Sequence, residues 1–423
     1  MLRTVRSSVL TMVLSVTPCL TSFGAAEILT RDDALRIGLE KNPEIVAARD
    51  EWEAARAKIL QTRALPEPEF GLEYEELPGS LSSFGERNIG IVQTIPFPLK
   101  WMLNNRAAGQ RSEAVRYSSF EMKKLEIRTA VKIVFDKVLL CRAVLGYAGQ
   151  NLDLANEFKN KAKARFDTGD VSMLEVLRAD VELGRAQNRV KTAKNDLLTT
   201  MAELNTILAR DTRSSPDIDG ELMFRPLDIG LECLIRAALE NRPDLYGAEK
   251  WVEALQTLGS LAETSIVPDL NVGVFRQTLR DREGREGYWH LSIGLDIPFW
   301  AIFRWRGEIA EAAAETGRHT ALKQNLRHQV LLEVENAFRN LKLLEEQVAL
   351  YREKTLDAVE KTFEMASKSY REGKATYIEL LEAQRILTET RIEYAEILFR
   401  YNSELAVLER SVGKDIDEIS QTR

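Results

Sequence analysis

The spacing of hydrophobic residues changes twice along the chain, and both changes recur about 200 residues later. Spacings of three and four residues, typical of a helix with one buried face, run through the long charged stretches 101–165 and 303–372. Alternating apolar and polar residues, typical of strands with one apolar face, occupy about 68–96 and 268–298. The sequence therefore predicts a mainly α protein with two β-hairpins, each placed between helices.

The two predicted hairpins have similar faces. A strand of about ten residues with one apolar face suits an outer-membrane β-barrel, although a water-soluble hairpin packed on a helix would show the same alternation. Aromatic residues at the strand ends suit a membrane interface. The strongly polar stretch 280–285 is predicted to be a loop. The side chains predicted to face lipid are Phe70, Leu72, Tyr74, Leu291, Ile293 and Leu295.

The long helices need partners of comparable length. At 1.5 Å per residue, about 65 residues make a rod of roughly 100 Å. In each half of the chain, the helix before the hairpin and the helix that ends the half together contain nearly as many residues as the long helix. Stacked end to end, these two helices would match it. This arithmetic predicts a uniform wall of a helical barrel rather than a globule.

Each long helix is predicted to end at a glycine elbow, Gly169 in RFDTGDVSMLEVLRAD and Gly373 in SYREGKATYIELLEAQ. Glycine tolerates the positive φ that closes a helix C-terminus. The next helix then opens on a hydroxyl residue followed three residues later by Glu, the pattern of a capping box. These pairs are Ser172 with Glu175 and Thr376 with Glu379. Residues 167–172 and 371–376 are therefore predicted to be the tips of two helical hairpins.

The elbows belong to a tandem duplication. Asn42-Pro43-Glu44 recurs as Arg242-Pro243-Asp244, and Ile95-Pro96-Phe97 recurs as Ile297-Pro298-Phe299. A period of about 200 residues is too long for a solenoid, so each copy must be a multi-element unit of the same fold. We assign the copies to residues 27–210 and 231–423, joined by an irregular belt at 211–230. The polar tail after Gly413 is predicted to fray.

Residues 1–26 have the pattern of a secretory signal peptide, with two arginines, a short apolar run and small residues before Glu27. Cys19, within this segment, raises the question of a lipid anchor. The formal net charge of −7 becomes −9 without these two arginines, and an acidic exported protein is a poor candidate for binding nucleic acid. Cys141 and Cys233 lie in apolar helical stretches and are predicted to be buried free thiols.

The sequence after residue 26 lacks the run of about 18 apolar residues that a transmembrane helix requires. If the chain enters a membrane, it must therefore do so with strands. Four predicted strands are too few to close a barrel, and an open edge in lipid would leave backbone groups unpaired. A barrel of this kind would have to be shared between subunits.

In this order, and in duplicate, the motifs resemble those of the outer-membrane efflux proteins, the TolC-like channels, over essentially the whole sequence after residue 26. The matching segments are Asn42-Pro43, residues 65–68 (LPEP), residues 93–100 (QTIPFPLK) and the two glycine elbows. The resemblance implies a homotrimer in which three chains share a twelve-stranded barrel in outer-membrane lipid, continuous with a periplasmic α-helical barrel. It also implies a periplasmic adaptor, or membrane fusion protein, and an inner-membrane pump of the RND type as partners.

Within this family, residues 93–100 look most like the heavy-metal efflux branch, although Leu99 stands where those proteins often have Gly. We find no metal-ligand spacing among the histidines and cysteines, no phosphate- or dinucleotide-binding motif and no nucleophile elbow. No cofactor and no enzymatic activity are therefore expected. A passive efflux duct is the favoured function. The alternatives are a channel for drug efflux or type I secretion, and a periplasmic coiled-coil scaffold that forms no pore.

The resemblance also implies roles for the elbows. An acidic ring narrows the periplasmic mouth of the resembling channels, and the matching positions here are Glu379 and Glu382. They lie three residues apart and so share a helix face, although a solvated face on which Glu is merely a good helix former would look the same. The tips that would meet the adaptor are Gly169, Asp170, Val171, Gly373, Lys374 and Ala375.

Overall fold

The computed structural model describes residues 28–76, 79, 81, 84–281 and 284–421. The predicted signal peptide and Cys19 lie outside the described residues. In the first copy the elements are β1 (Ile28–Leu29), α1 (Arg31–Lys41), α2 (Pro43–Arg63), β2 (Glu69–Glu75), β3 (Glu86–Ile95), α3 (Pro98–Val115), a π-helical segment (Arg116–Glu121), α4 (Met122–Asp167) and α5 (Met173–Ile207).

The second copy has the same order of elements, preceded by a short strand in the belt. They are β4 (Asp217–Ile218), α6 (Leu231–Asn241), α7 (Pro243–Glu263), a 3₁₀ turn (Thr264–Ile266), β5 (Asp269–Asp281), β6 (Gly284–Asp296), α8 (Ala301–Leu350), a π-helical segment (Tyr351–Thr355), α9 (Leu356–Arg371), α10 (Tyr377–Val412) and α11 (Ile416–Gln421). No helix in the described part of the chain is both long enough and apolar enough to cross a membrane.

The helices pack as their lengths predict. In the first copy α2 lies along α3 and α5 lies along α4, so two shorter helices cover one long, π-interrupted rod. In the second copy α7 lies along α8, and α10 runs back along α9 and α8. The apolar residues spaced three and four apart along α8 include the buried Val330, Val334 and Leu341, whereas Leu322 at the start of this series is exposed.

The four longer strands form one antiparallel sheet in the order β2-β3-β5-β6. The two hairpins therefore meet through β3 and β5, one strand from each copy. The predicted loop at 280–285 is wrong in extent, because Arg280 pairs with Arg285 and Asp281 pairs with Gly284. The ladder is made by backbone groups, so polar side chains alone do not end it.

The belt packs against the hydrophobic cores of both copies. Its strand β4 pairs in parallel with β1, and Leu227 and Ile229 are buried in the core of the second copy. The Tyr401 hydroxyl donates to the Arg225 carbonyl at 2.6 Å, and the Asn402 amide donates to the Met223 carbonyl at 3.1 Å. These bonds hold the belt against α10.

The tail after Gly413 is ordered, so the prediction that it frays is wrong for the described residues up to 421. Ile419 on α11 is buried at the core of the second copy. Asp415 accepts from Lys132 at 2.7 Å and from Arg128 at 3.2 Å, both on α4 of the first copy. Burial of an apolar face and two ion pairs across the copies outweigh the polarity that suggested fraying.

Cys141 and Cys233, the cysteines among the described residues, are free thiols, but both are only partly buried. The prediction of buried thiols is wrong in this respect. Cys141 lies on α4 with its sulfur 3.6 Å from the Thr200 hydroxyl.

Asn42 and Arg242 occupy the same junction in the two copies, and both side chains are buried. Asn42 donates to the Ile207 carbonyl at the end of α5 at 2.9 Å, and its side-chain oxygen caps α2 through the Glu44 N–H. Arg242 donates to the Ser411 carbonyl at the end of α10. Two different side chains thus tie the start of each unit to the end of its last helix.

Candidate functional site

One face of the sheet, the apolar face, carries all six predicted lipid-facing side chains. Directly opposed residues in a sheet share a face, and here Phe70 lies opposite Ile91, which in turn lies opposite Val274 and then Leu291. Ile293 is 68% exposed in the protomer. Tyr74 is half-buried against Phe84. Leu72, Val272 and Leu295 lie on the same face, and Leu72 and Leu295 are also exposed in the protomer.

The opposite face, the polar face, carries glycine, amide and hydroxyl residues. The Thr94 hydroxyl donates to the Asn271 side-chain oxygen at 2.7 Å across β3 and β5. The Phe275 ring lies across Gly90 and Gly273, where an added Cβ would come within 2.1 Å and 2.6 Å of the ring. These two glycines are required because a larger residue would displace the ring. A polar face behind an apolar one is the arrangement of a membrane barrel wall with an aqueous lumen.

Aromatic residues collect where the strands meet the helices. Trp300 is 81% exposed, and Phe299 and Phe303 beside it are also highly exposed. Two tryptophans at equivalent positions bond the helix after each hairpin to the helix before it. The Trp101 indole donates to the Arg63 carbonyl at 3.2 Å, and the Trp305 indole donates to the Glu263 carbonyl at 3.3 Å. Tryptophan suits a membrane interface because its ring is apolar and its N–H needs a hydrogen-bond partner.

The two glycine elbows have the geometry that the sequence predicts. Gly169 has φ +81° and Gly373 has φ +75°. The N–H groups of Asp170 and Lys374 donate back to the last helical turn, to Arg165 at 2.9 Å and to Ser369 at 2.8 Å, as in a Schellman motif. Apart from each glycine and its chain neighbours, no atom of the described residues lies within 4 Å of a Cβ placed at Gly169 or Gly373. The elbows are thus open to a partner.

The helices that follow the elbows begin differently. Thr376 and Glu379 form a complete capping box at the start of α10. The equivalent prediction for Ser172 is wrong, because its side chain makes no capping bond to α5. Glu175, its expected partner, lines a cavity between the two tips instead. The first turn of α5 therefore keeps N–H groups that no side-chain cap satisfies.

Both candidate gate carboxylates are engaged within the protomer. The Thr376 N–H and hydroxyl donate to Glu379 at 2.7 Å and 3.0 Å, and these bonds hold the pKa of Glu379 below its usual value. Glu382 accepts from Arg385 at 2.9 Å. Both carboxylates are exposed on the first turns of α10, but no bond joins them.

The described residues contain no group of three or more His, Cys, Asp or Glu side chains placed to hold a metal ion. The main features of the fold are a sheet with one apolar and one polar face, and two helical hairpins. The glycine elbows at the tips of these hairpins lie side by side. This combination defines a subunit of an outer-membrane channel that extends into the periplasm.

The comparisons with known proteins agree. The family model "Outer membrane efflux protein" matches residues 35–210 and 234–414, one match for each copy. The chain belongs to the outer membrane efflux protein family, a family of passive channels. It is located in the outer membrane and reaches into the periplasm.

The chain is 24% identical over 398 residues to the cobalt-zinc-cadmium resistance protein CzcC of Cupriavidus metallidurans, covering 92% of this chain and 91% of that protein. It is 23% identical over 420 residues to the toluene efflux pump outer membrane protein TtgF of Pseudomonas putida, covering 93% and 86%. The structure of the Campylobacter jejuni CmeC outer membrane channel superposes with a TM-score of 0.75 at 16% identity, covering 93% and 88% of the two chains.

Three features of the site were not foreseen from the sequence. Arg276 lies on the apolar face near the loop end, with its guanidinium 5.3 Å from the centre of the Trp289 ring. The indole bonds of Trp101 and Trp305 depend on carbonyls about 40 residues away. The cavity between the tips depends on how the hairpins meet. Of these three features, only the tryptophan pair could have been found from the sequence, because Trp101 and Trp305 occupy equivalent positions in the two copies.

Proposed function

We propose that three copies of this chain assemble into one export duct across the outer membrane and periplasm. The duct would be coupled through a periplasmic adaptor to an inner-membrane pump of the RND type, and its cargo would be heavy-metal cations. The observation that carries the proposal is the isolated four-stranded sheet, with an exposed apolar face and strands β2 and β6 at its edges. Those edges need partners in lipid, and three such sheets supply twelve strands, enough for a closed barrel.

The relative CzcC supports metal cations as the cargo, because its name records resistance to cobalt, zinc and cadmium. TtgF, similar at nearly the same identity, is named for toluene efflux and favours an organic cargo instead. The described part of this chain has no metal-binding cluster. Selection of the cargo is therefore assigned to the pump.

Deletion of the gene in its host is the direct test. We expect the mutant to become sensitive to divalent heavy metals and to be rescued by the wild-type chain, with tolerance of organic solvents unchanged. The protein extracted from outer membranes should migrate as a trimer that dissociates on heating. A solvent-sensitive but metal-tolerant mutant would favour the organic cargo, and a chain absent from the outer membrane would favour the periplasmic scaffold.

The candidate gate is tested by charge removal. Threefold symmetry would bring six carboxylates of Glu379 and Glu382 near one axis, where they would attract cations. Conductance in planar bilayers should therefore be cation-selective and blocked by multivalent cations, and changing both residues to Gln should reduce both properties. Gln at position 379 keeps the acceptor that the capping box needs. Glu389→Gln, two turns further along α10, is the control, and a double variant blocked like the wild type would place the gate elsewhere.

The elbows are proposed to dock the adaptor, because they are exposed and leave the backbone accessible. Gly373→Trp should abolish export while trimers still form, since the indole would occupy the space that the adaptor needs. Gly373→Asn is the control for backbone strain, because Asn tolerates positive φ better than other residues. Export by the Trp variant at the wild-type level would show that the elbow is only a turn.

A further inference from the structure

The sheet has a loop end, where β2 turns into β3 and β5 turns into β6, and an opposite end that joins the helices. Every second residue from Ile297, just after β6, back to Trp289 is an exposed apolar side chain. Eight residues of tilted strand rise about 20 Å along the axis of a barrel. The apolar stretch is therefore nearly as tall as the lipid-facing band of a membrane barrel, and the residues beyond Trp289 lie at its outer boundary.

Four arginines share the apolar face at the loop end, because strand alternation and the register place them in line with its apolar residues. We call them the rim arginines: Arg87, Arg276, Arg280 and Arg285. The acid Glu76 lies at the same end, beside Gly85. Even with this acid, the described residues of the apolar face carry a net positive charge at the loop end.

Arg276 extends towards the loop end. Its guanidinium lies over Gly287, where an added Cβ would collide with it, and Gly287 is two residues nearer the loop end than Trp289. The guanidinium carbon is 5.3 Å from the centre of the Trp289 ring. A long basic side chain at a membrane boundary extends in this way because its charge is costly in hydrocarbon. The position of Arg276 thus marks the level at which lipid headgroups begin.

Arg87 and Arg285 flank a single aromatic ring. Their guanidinium carbons lie 5.3 Å and 5.4 Å from the centre of the Phe84 ring. Phe84, in the loop between β2 and β3, is 4% exposed and packs edge-on against Tyr74. Cation–π contacts attract a guanidinium without neutralising its charge. The ring therefore brings together two arginines from different hairpins and leaves both charges available to an anion.

The acids in the strands at the loop end lie on the polar face instead. They are Glu73, Glu75, Glu86 and Glu286. As a result, like charges oppose each other directly across the strands, Glu75 with Glu86 and Arg280 with Arg285. Opposed like charges weaken an isolated sheet. Separation of the two signs by face, at this cost, indicates that the two faces meet different surroundings.

We propose that the rim arginines bind the phosphate groups of the phosphorylated glycolipid in the outer leaflet of the outer membrane. The chain lies in that membrane and its helices reach into the periplasm, so the loop end of the sheet meets the outer leaflet. A guanidinium fork pairs with two phosphate oxygens, and the exposed apolar side chains next to the arginines contact the acyl chains. The inference rests on the proposed function, since it requires the apolar face to meet lipid.

The test uses trimers purified in a nonionic detergent and titrated with diphosphoryl lipid A, with bound lipid counted by native mass spectrometry. A triple variant should bind this lipid at least about tenfold more weakly, because each basic residue at a membrane surface strengthens binding several-fold. Its changes are Arg87→Gln, Arg276→Gln and Arg285→Gln. Arg285→Gln alone, at the exposed start of β6, should weaken binding several-fold and replaces the triple variant if that variant forms no trimer.

The matched control removes the same number of positive charges from exposed positions on helices α5, α8 and α9. Its changes are Arg189→Gln, Arg327→Gln and Arg371→Gln. This variant should bind diphosphoryl lipid A as the wild type does, since these arginines lie far from the loop end of the sheet. Equal affinity of the wild type, the rim variants and the control overturns the inference, and the trimers measured in that experiment leave the proposed function standing.

A second arm identifies the lipid. The wild type should bind diphosphoryl lipid A more tightly than monophosphoryl lipid A, and either of them more tightly than phosphatidylcholine, whose choline offsets its phosphate. Binding should weaken as salt is raised, and less so in the triple variant. Phosphatidylglycerol bound as tightly as diphosphoryl lipid A would overturn the assignment to the glycolipid. If the wild-type chain forms no trimer, the proposed function is wrong and the inference falls with it.

Discussion

Replacing Arg242 with Met is expected to lower the free energy of unfolding by about 3 to 5 kcal/mol, the usual cost of removing one partner from a buried ion pair. Arg242 is 4% exposed. Its guanidinium donates two parallel bonds to Asp244, at 2.9 Å and 2.6 Å, and a third to Glu333 at 2.7 Å. Met fills a similar volume but leaves the largely buried Asp244 carboxylate without its cation, so the loss measures the charge rather than a cavity.

The measurement is urea unfolding of the protein in detergent, followed by circular dichroism. Arg236→Met on the exposed face of α6 is the matched control and should change stability by less than about 0.5 kcal/mol, because surface changes rarely exceed that. Adding Asp244→Asn to Arg242→Met should recover part of the loss, since it removes the stranded charge. A single variant as stable as the Arg236 control would mean that this junction is held by packing alone.

Arg242 also shows what the duplication can and cannot predict. The repeated Asn-Pro and Arg-Pro pairs place both residues at equivalent helix starts, which is a matter of local sequence. That both side chains reach a carbonyl at the end of the last helix, of Ile207 and of Ser411, depends on packing between elements about 165 residues apart. The position was thus predictable from the sequence, and the role was not.

The sheet also has some features that the sequence predicts and others that it does not. Alternation predicts the apolar face because facing is a local property of a strand. The pairing of β3 with β5, which joins the two copies, and the extension of β5 and β6 beyond residue 280 are set by backbone contacts that side-chain polarity does not report. Similarly, the glycine elbows are predictable because a positive φ favours glycine. The missing capping bond of Ser172 and the cavity beside it depend on how the two hairpins meet, which the local sequence does not report.

The remaining prediction concerns the apolar face, where Arg at position 293 is expected to cost about 2 to 4 kcal/mol if the residue faces the middle of a bilayer. Ile293 lies opposite Val272 in the register, whereas Ser292 lies opposite Gly273 on the polar face. Both side chains are exposed in the protomer. A sheet surrounded by water would therefore accept Arg at either position, but a sheet with one face in lipid would not.

Two variants of adjacent residues make the comparison. Ile293→Arg should reduce the amount of folded, heat-dissociable trimer in outer membranes, because the guanidinium must leave water to enter the hydrocarbon. Ser292→Arg should leave that amount near the wild-type level, since position 292 would face the aqueous lumen, and it should shift ion selectivity towards anions in planar bilayers. Equal outer-membrane yields of the two variants would contradict the assignment of the apolar face to lipid, because the physical difference between them is the face on which the charge is placed.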